Sequence, residues 1–419
     1  MILRGRARDL LGSLLLLLLG LGAALWLAEI VVREVAPQQR PLSIALRGLY
    51  VPDATLGYRM APGFERRIRT AEFTSVVRTN SLGLRDHELG ARRPGTLRLL
   101  GLGDSFTFGV HAGPLEKCYL KQLETRLDAQ LARQPLAAPG RSELHAVEIV
   151  NAGMDGYGTP QEVGLLQKLA AAVQPDGLLL GFYLGNDFTD NSGRTRMTVV
   201  DGYQMLEDSA APFRREFAPM QRRARLFLNT RSELYLFFKR RVLHPEGAAL
   251  SRAPGAAALA PDASAHHAGP KSFDYYRYDS GFADCMRSEL SPTMQVAMQE
   301  TRHAFEQLRA WCDAHGTRAL VVAIPAQEQV DPAERRRWLD RFGLSEADFD
   351  FELPNRRLAD LAHSCGLEVF DLTPGFAARV ARGDTLFMRT DTNWNAAGHA
   401  AAAELLAEPV LRHLVDHVP

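Results

Sequence analysis

Leu97-Arg98-Leu99-Leu100-Gly101-Leu102-Gly103-Asp104-Ser105-Phe106-Thr107-Phe108-Gly109 is the stretch that decides the fold. Its apolar run stops at a glycine and gives way at once to small polar residues, the pattern of a short strand buried on both faces. Helical spacing follows from Leu115 to Leu131. The rhythm then repeats: Val147 to Asn151 reads as strand, Pro160 to Val173 as helix with proline in its first turn, and Gly177 to Tyr183 as strand. Strands alternating with helices predict right-handed βαβ units, hence an α/β fold of flavodoxin-like type: a three-layer parallel sheet with helices on both faces.

Beyond this block the alternation pauses and then resumes. Pro292 to His315 reads as a long helix ended by Gly316, Ala319 to Ile324 as a buried strand, Asn355 to Ser364 as helix and Leu367 to Asp371 as strand. A last helix is expected from about Asn395 to His413. Residues 192–290 form an insertion, with an amphipathic stretch from Arg223 to Val242 and an Ala/Pro-rich segment from Pro245 to Pro270 that has little to bury. Upstream, residues 37–95 are rich in Pro, Gly and Arg and read as a juxtamembrane stalk leading into short strands; Phe73 to Val77 and the turn-like Asn80-Ser81-Leu82-Gly83 suggest a hairpin or a strand laid against the main domain.

The first 36 residues are of another kind. Leu10 to Ala28 carries no charge, and at 1.5 Å per residue it approaches the roughly 30 Å of a bilayer core. Arg4, Arg6 and Arg8 precede it, so the positive-inside rule leaves the N-terminus in the cytoplasm and sends the rest across, into the periplasm if the source is a Gram-negative bacterium. The run is longer than a signal-peptide core, which favours a retained single-pass anchor over a cleaved signal. The expected organisation is thus an anchor at 1–36, a stalk at 37–95 and one domain at 96–419 interrupted at 192–290.

Composition sets limits on partners. The 419 residues are 46% hydrophobic and balance 49 basic against 49 acidic side chains, which excludes a disordered chain and gives no global field for a nucleic acid. Cys118, Cys285, Cys312 and Cys365 have no zinc-ligand spacing, so neither a metal nor a cofactor is called for. In an oxidising compartment they could form two disulfides; small buried hydrophobes is the equal alternative.

In an open parallel sheet, ligands sit beyond the carboxyl ends of the strands. Three polar blocks fall there: Gly103 to Gly109, Asn151-Ala152-Gly153-Met154-Asp155-Gly156-Tyr157-Gly158, and Gly185-Asn186-Asp187. With these blocks in this order, the chain resembles the SGNH, or GDSL, hydrolase family over residues 80–191 and 290–410. The resemblance implies a nucleophile at Ser105 and oxyanion donors at Ser105, Gly156 and Asn186. A hydroxyl needs a base to take its proton, and the oxyanion formed at an ester carbonyl needs preorganised donors, so these residue types fit that chemistry.

The last block departs from the pattern. Relatives of this type read Asp-x-His-Trp-Asn-x-x-Gly-His; here stands Asp391-Thr392-Asn393-Trp394-Asn395-Ala396-Ala397-Gly398-His399. Asn393 cannot accept a proton at neutral pH. His399, one turn into the final helix, is one substitute base; His111 and His87 are others; loss of turnover is the third reading. Asp391 would orient whichever base exists, or act on Ser105 directly as a weak base with slow turnover. Asp187 is expected to cap the segment that follows it rather than pair with Asp190. His266-His267 reads as loop, and Tyr275-Tyr276-Arg277-Tyr278 as packing or a substrate-stacking groove.

The expectation is therefore a membrane-anchored serine ester hydrolase or O-acyltransferase acting on an acylated envelope glycan or lipid, with no nucleic-acid partner. Its rival is a catalytically silent module of the same fold that binds such a partner.

Overall fold

The computed structural model describes residues 2–36, 42–70, 72–136, 143–193, 196–206, 219–239, 280–389 and 391–415. They belong to two compact units, one drawn from residues 1–45 and 212–256, the other from 46–211 and 257–419.

The larger unit opens with two antiparallel hairpins, β1 (Tyr50–Asp53) with β2 (Gly57–Met60) and β3 (Glu65–Arg69) with β4 (Thr74–Arg78). β5 (Thr96–Leu102), β6 (Ala146–Asn151) and β7 (Gly177–Tyr183) follow, then a third hairpin of β8 (Met197–Val200) and β9 (Tyr203–Leu206), and finally β10 (Ala319–Ile324) and β11 (Glu368–Asp371). A five-stranded parallel sheet runs in the order β11-β10-β7-β5-β6. Every residue of β5, β7 and β10 is buried, as central strands covered on both faces require, whereas edge strand β11 is only partly buried. Leu97 and Leu99 of β5 share one apolar cluster with Leu120, Leu123 and Leu127 of the helix Tyr119–Arg133 and with Leu406 of the last helix, Ala396–Val415. The helices Thr159–Val173 and Pro292–His315 pack on each other.

The strand order reverses once. β6 lies on one side of β5, while β7, β10 and β11 extend on the other, so the connections leaving β5 and β7 diverge above their carboxyl ends. That divergence opens the crevice in which doubly wound sheets hold their ligands.

The strands expected from the sequence lie within a residue of where the patterns put them. Two hairpins of residues 46–95 belong to the larger unit, with Leu49, Tyr58, Met60 and Val77 buried in it. The insertion likewise supplies β8 and β9 to that unit. The amphipathic stretch expected from Arg223 to Val242 forms two helices in the smaller unit, Pro219–Arg231 and Glu233–Phe238. They part at Ser232, whose hydroxyl accepts the Tyr235 N–H and caps the second helix.

In the smaller unit one helix, Ile2–Val35, includes a 24-residue segment, Gly12–Val35, long and apolar enough to cross a membrane. At its end the Glu29 carboxylate accepts from the Ser232 hydroxyl at 2.8 Å and from the Glu233 and Leu234 amides at 2.8 and 3.0 Å, filling the open N-terminus of the helix Glu233–Phe238. All four cysteines are free thiols, and Cys118, Cys285 and Cys312 are buried as small apolar groups; no disulfide joins them. His266-His267 and the Tyr275 to Tyr278 cluster lie outside the described residues.

Candidate active site

Three connections bring the candidate residues to one edge of the sheet. β5 ends at Leu102, and Asp104 caps the short helix Ser105–Phe108, its Oδ1 accepting the Phe106 N–H at 2.9 Å. This puts Ser105 on the first helical turn beside the crevice, half-buried, with its Oγ 3.5 Å from Asp104 Oδ2. β6 ends at Asn151, whose Oδ1 accepts the Gly153 N–H and bends the second block back over that helix. A Cβ on Gly153 would overlap the Thr107–Phe108 backbone, so only glycine lets the two blocks approach this closely.

The Asp155–Gly156 peptide is held from one side. Its carbonyl accepts the Tyr58 hydroxyl at 2.7 Å and the Gln204 side-chain amide at 2.8 Å. In a planar trans peptide the N–H points opposite to the C=O, so these two bonds aim the Gly156 N–H away from Tyr58 and Gln204. Gly156 itself has φ of +76°, a conformation that disfavours other residues. Tyr58 comes from β2 and Gln204 from β9, within the segments read from sequence as stalk and insertion. Neither carries a sequence signal of this role, because each acts on a backbone atom.

Asn186 begins the helix Asp187–Asn191 without capping it by its side chain. Its Oδ1 is buried without a hydrogen-bond partner. Asp187 does not cap this helix: its Oδ2 turns back to accept the Tyr183 N–H at 2.7 Å, tying the helix to the end of β7.

The last block reaches the nucleophile's helix through an aromatic contact. The Trp394 ring is fully buried and meets Phe106 edge-on with centroids 5.0 Å apart. Asn395 caps the last helix, its Oδ1 accepting from Ala397 and Gly398, and its side-chain amide donates to the Thr385 carbonyl. Between them Asp391 accepts the Asn393 backbone N–H at 3.0 Å and side-chain amide at 2.7 Å, both on Oδ1. Its Oδ2 faces His111 Nε2 at 3.5 Å. Burial alone would raise the Asp391 carboxyl; the His111 charge and the hydrogen bonds from His111 and Asn393 outweigh it and hold the group below the usual carboxylate range.

The three histidines proposed as substitute bases are placed differently. His399 sits in the core, stacked on Tyr119 and edge-on to Trp394, with Nδ1 facing the Tyr119 N–H at 3.4 Å. Burial, then the His111 and Arg85 charges, lower it to about 3, and no hydrogen bond joins it to Ser105. His87 is exposed beside Glu116 and lines a cleft of about 400 Å³ with Arg67, Arg78 and Glu88, which none of Ser105, Gly156, Asn186 and Asp391 enters. His111, buried on the turn Val110–Ala112, is the imidazole that meets Asp391.

Carboxyls crowd beneath the site. Burial raises Asp104 to about 7, with the charges of Asp155 and Asp190 adding to it against the Phe106 N–H bond. Burial likewise raises Glu162 and Asp187 well above the ordinary range, each pushed further by Asp104. Asp155 rises to about 6 by burial, opposed by the His111 charge and the Tyr50 bond and aided by the Asp391 charge. Among the described residues no cluster of His, Cys, Asp or Glu could hold a metal ion.

Residues 286–419 match a family model, ALGX, described as the SGNH hydrolase-like domain of acetyltransferase AlgX. Over these residues the chain is similar to SGNH hydrolase-like domains. Solved structures similar to this chain include an acetyl xylan esterase, AlAXEase, at 12% identity, covering 75% of this chain and all of that one with a TM-score of 0.35. The psychrotrophic esterase EstA from Pseudoalteromonas sp. aligns at 8% identity over 76% of this chain and 98% of its own, TM-score 0.34. The lipase/acylhydrolase from Enterococcus faecalis aligns at 13% identity over 76% and 96%, TM-score 0.33. No curated protein matches the sequence.

Proposed function

We propose that this protein is a membrane-tethered serine ester hydrolase or O-acyltransferase whose substrate is an acyl ester of an envelope glycan or lipid. The observation that supports the reading is that the blocks bearing Ser105, Gly156 and Asn186 follow β5, β6 and β7, neighbouring strands around the reversal point of the sheet, with the Asp155–Gly156 peptide fixed by Tyr58 and Gln204. In this mechanism Ser105 Oγ attacks the ester carbonyl. The Ser105 and Gly156 amides and the Asn186 side chain receive the oxyanion, and water or a sugar hydroxyl releases the acyl group. The matched family's acetyltransferase description supports acyl transfer as the reaction class. The Gly12–Val35 segment, preceded by Arg4, Arg6 and Arg8, supports a signal-anchor with the catalytic unit outside the cytoplasm, in the periplasm of a Gram-negative cell.

A second reading, a binding module without turnover, is favoured by one observation: Asn393 stands two residues from Asp391 and occupies its Oδ1. Turnover of p-nitrophenyl acetate by the full chain in detergent separates the two. The enzyme reading expects activity that Ser105→Ala abolishes and Asn186→Ala lowers by about 10²- to 10³-fold. Equal rates for wild type and Ser105→Ala would support the binding module.

A further inference from the structure

A serine nucleophile at neutral pH needs a proton acceptor, and the arrangement around Asp391 offers one from an unexpected direction. His111 lies six residues after Ser105, on the turn that follows the nucleophile's own helix. Its ring is buried, packs edge-on against Phe73 at 5.1 Å and directs Nε2 to Asp391 Oδ2. Its Nδ1 is buried and has no hydrogen-bond partner. A buried ring nitrogen without a partner is costly to keep, so its persistence asks for a use.

The turn that bears this ring is clamped at both ends. The Arg85 guanidinium, fully buried, donates to the Phe108 carbonyl and to the Gly113 carbonyl, each at 2.8 Å, and the Ser75 hydroxyl donates to Gly113 at 2.7 Å. Side chains that fix the two carbonyls flanking the four residues Gly109 to Ala112 fix the imidazole between them.

We propose that His111 is the general base of Ser105, with Asp391 as its orienting carboxylate. This rests on the ester-hydrolase reading of the site and supplies the group that Asn393 cannot. Nε2 keeps its proton on Asp391 throughout, which leaves Nδ1 with a lone pair. The Ser105 hydroxyl turns from Asp104 toward the ring, and its proton passes to Nδ1 as Oγ bonds to the carbonyl carbon. The carbonyl π pair moves onto oxygen. When the tetrahedral intermediate collapses, the C–O bond to the alcohol breaks and the leaving oxygen takes the Nδ1 proton. Water or an acceptor hydroxyl then gives its proton to Nδ1 as it attacks the acyl carbon, and Ser105 leaves with that proton restored. The charged and titratable groups facing His111 are Asp391, Asp155 and His399. The two carboxylates would stabilise the imidazolium formed at each transfer. Asn393 serves as a second support of Asp391, holding the oxygen that His111 does not use.

The test is hydrolysis of p-nitrophenyl acetate by the full chain in detergent across pH 5 to 9. His111→Gln should lower kcat/KM by about 10²- to 10⁴-fold and remove the rise of rate with pH at the acid end. His111→Ala should recover at least tenfold on adding imidazole, a rescue that a merely structural ring would not show. Asn393→His should restore activity in His111→Ala, because it puts an imidazole beside Asp391 again. If Ser105→Ala removes activity while His111→Gln keeps both rate and pH profile, the assignment of His111 is wrong and the esterase reading survives. A gain of 10²-fold from Asn393→His alone would also overturn it, and does not depend on any His111 variant folding. Absence of Ser105-dependent turnover in every variant would end both.

Discussion

Asp104→Asn isolates the cost of burying an acid next to the nucleophile. Asp104 is 2% exposed, and its side chain caps the helix Ser105–Phe108 through one oxygen, a role that an Asn oxygen can keep. What the substitution removes is titration. With the folded carboxyl raised from 3.8 to about 7, the unfolded chain gives up this proton between pH 4 and 7 while the folded chain still holds it. The folded state therefore binds more protons in that window, and wild-type stability must fall as pH rises. The rise of about 3 pH units, at about 1.4 kcal/mol each, sets a ceiling near 4 kcal/mol, reached above pH 7. Glu162 and Asp187 interact with Asp104, so part of that cost shifts to them when Asp104 is neutralised for good. Urea unfolding of wild type and Asp104→Asn at pH 4, 6 and 8 reads the difference. The variant should match wild type at pH 4 and exceed it by roughly 2 to 4 kcal/mol at pH 8. Parallel curves, or a wild type that gains on the variant with pH, would refute the reasoning.

Other consequences are as concrete. Gln204→Ala and Tyr58→Phe should each lower kcat about 10-fold with KM little changed, and together on the order of 10²-fold, because the Gly156 N–H loses its aim; steady-state kinetics checks this, and unchanged kcat in the double variant would remove the peptide from the account. Arg85→Met leaves the Phe108 and Gly113 carbonyls without the buried guanidinium, so it should cost about 2 to 5 kcal/mol in urea unfolding and lower kcat through the His111 turn. Gly153→Ala forces its methyl into the Thr107–Phe108 backbone and should cost about 1 to 3 kcal/mol, seen as a lower melting temperature.

The sheet was legible because its central strands are short apolar runs bounded by Gly or Pro within three residues of their ends, and burial on both faces favours such runs. The hairpins of residues 50–78 and 197–206 were harder to read. Their strands are only four or five residues long; in β2 to β4 Arg and Glu sit beside single buried residues, and in β8 and β9 the run is too short to set a period. The polar blocks at Ser105, Gly156 and Asn186 could be found because each follows a strand directly. Tyr58, Gln204 and Arg85 could not, since their partners are backbone carbonyls distant in sequence. His399 shows the opposite failure. Sequence places it one turn into the right helix, and the fold turns that face inward onto Tyr119 and Trp394.

The central claim is that Ser105 is an activated nucleophile. Intact-protein mass spectrometry after exposure of the full chain to a fluorophosphonate, followed by peptide mapping, tests it most directly. A single phosphonyl adduct on the peptide bearing Ser105, absent in Ser105→Ala and formed at least tenfold more slowly in His111→Gln, is the predicted result. An unmodified wild-type chain, or an adduct that persists in Ser105→Ala, would contradict it.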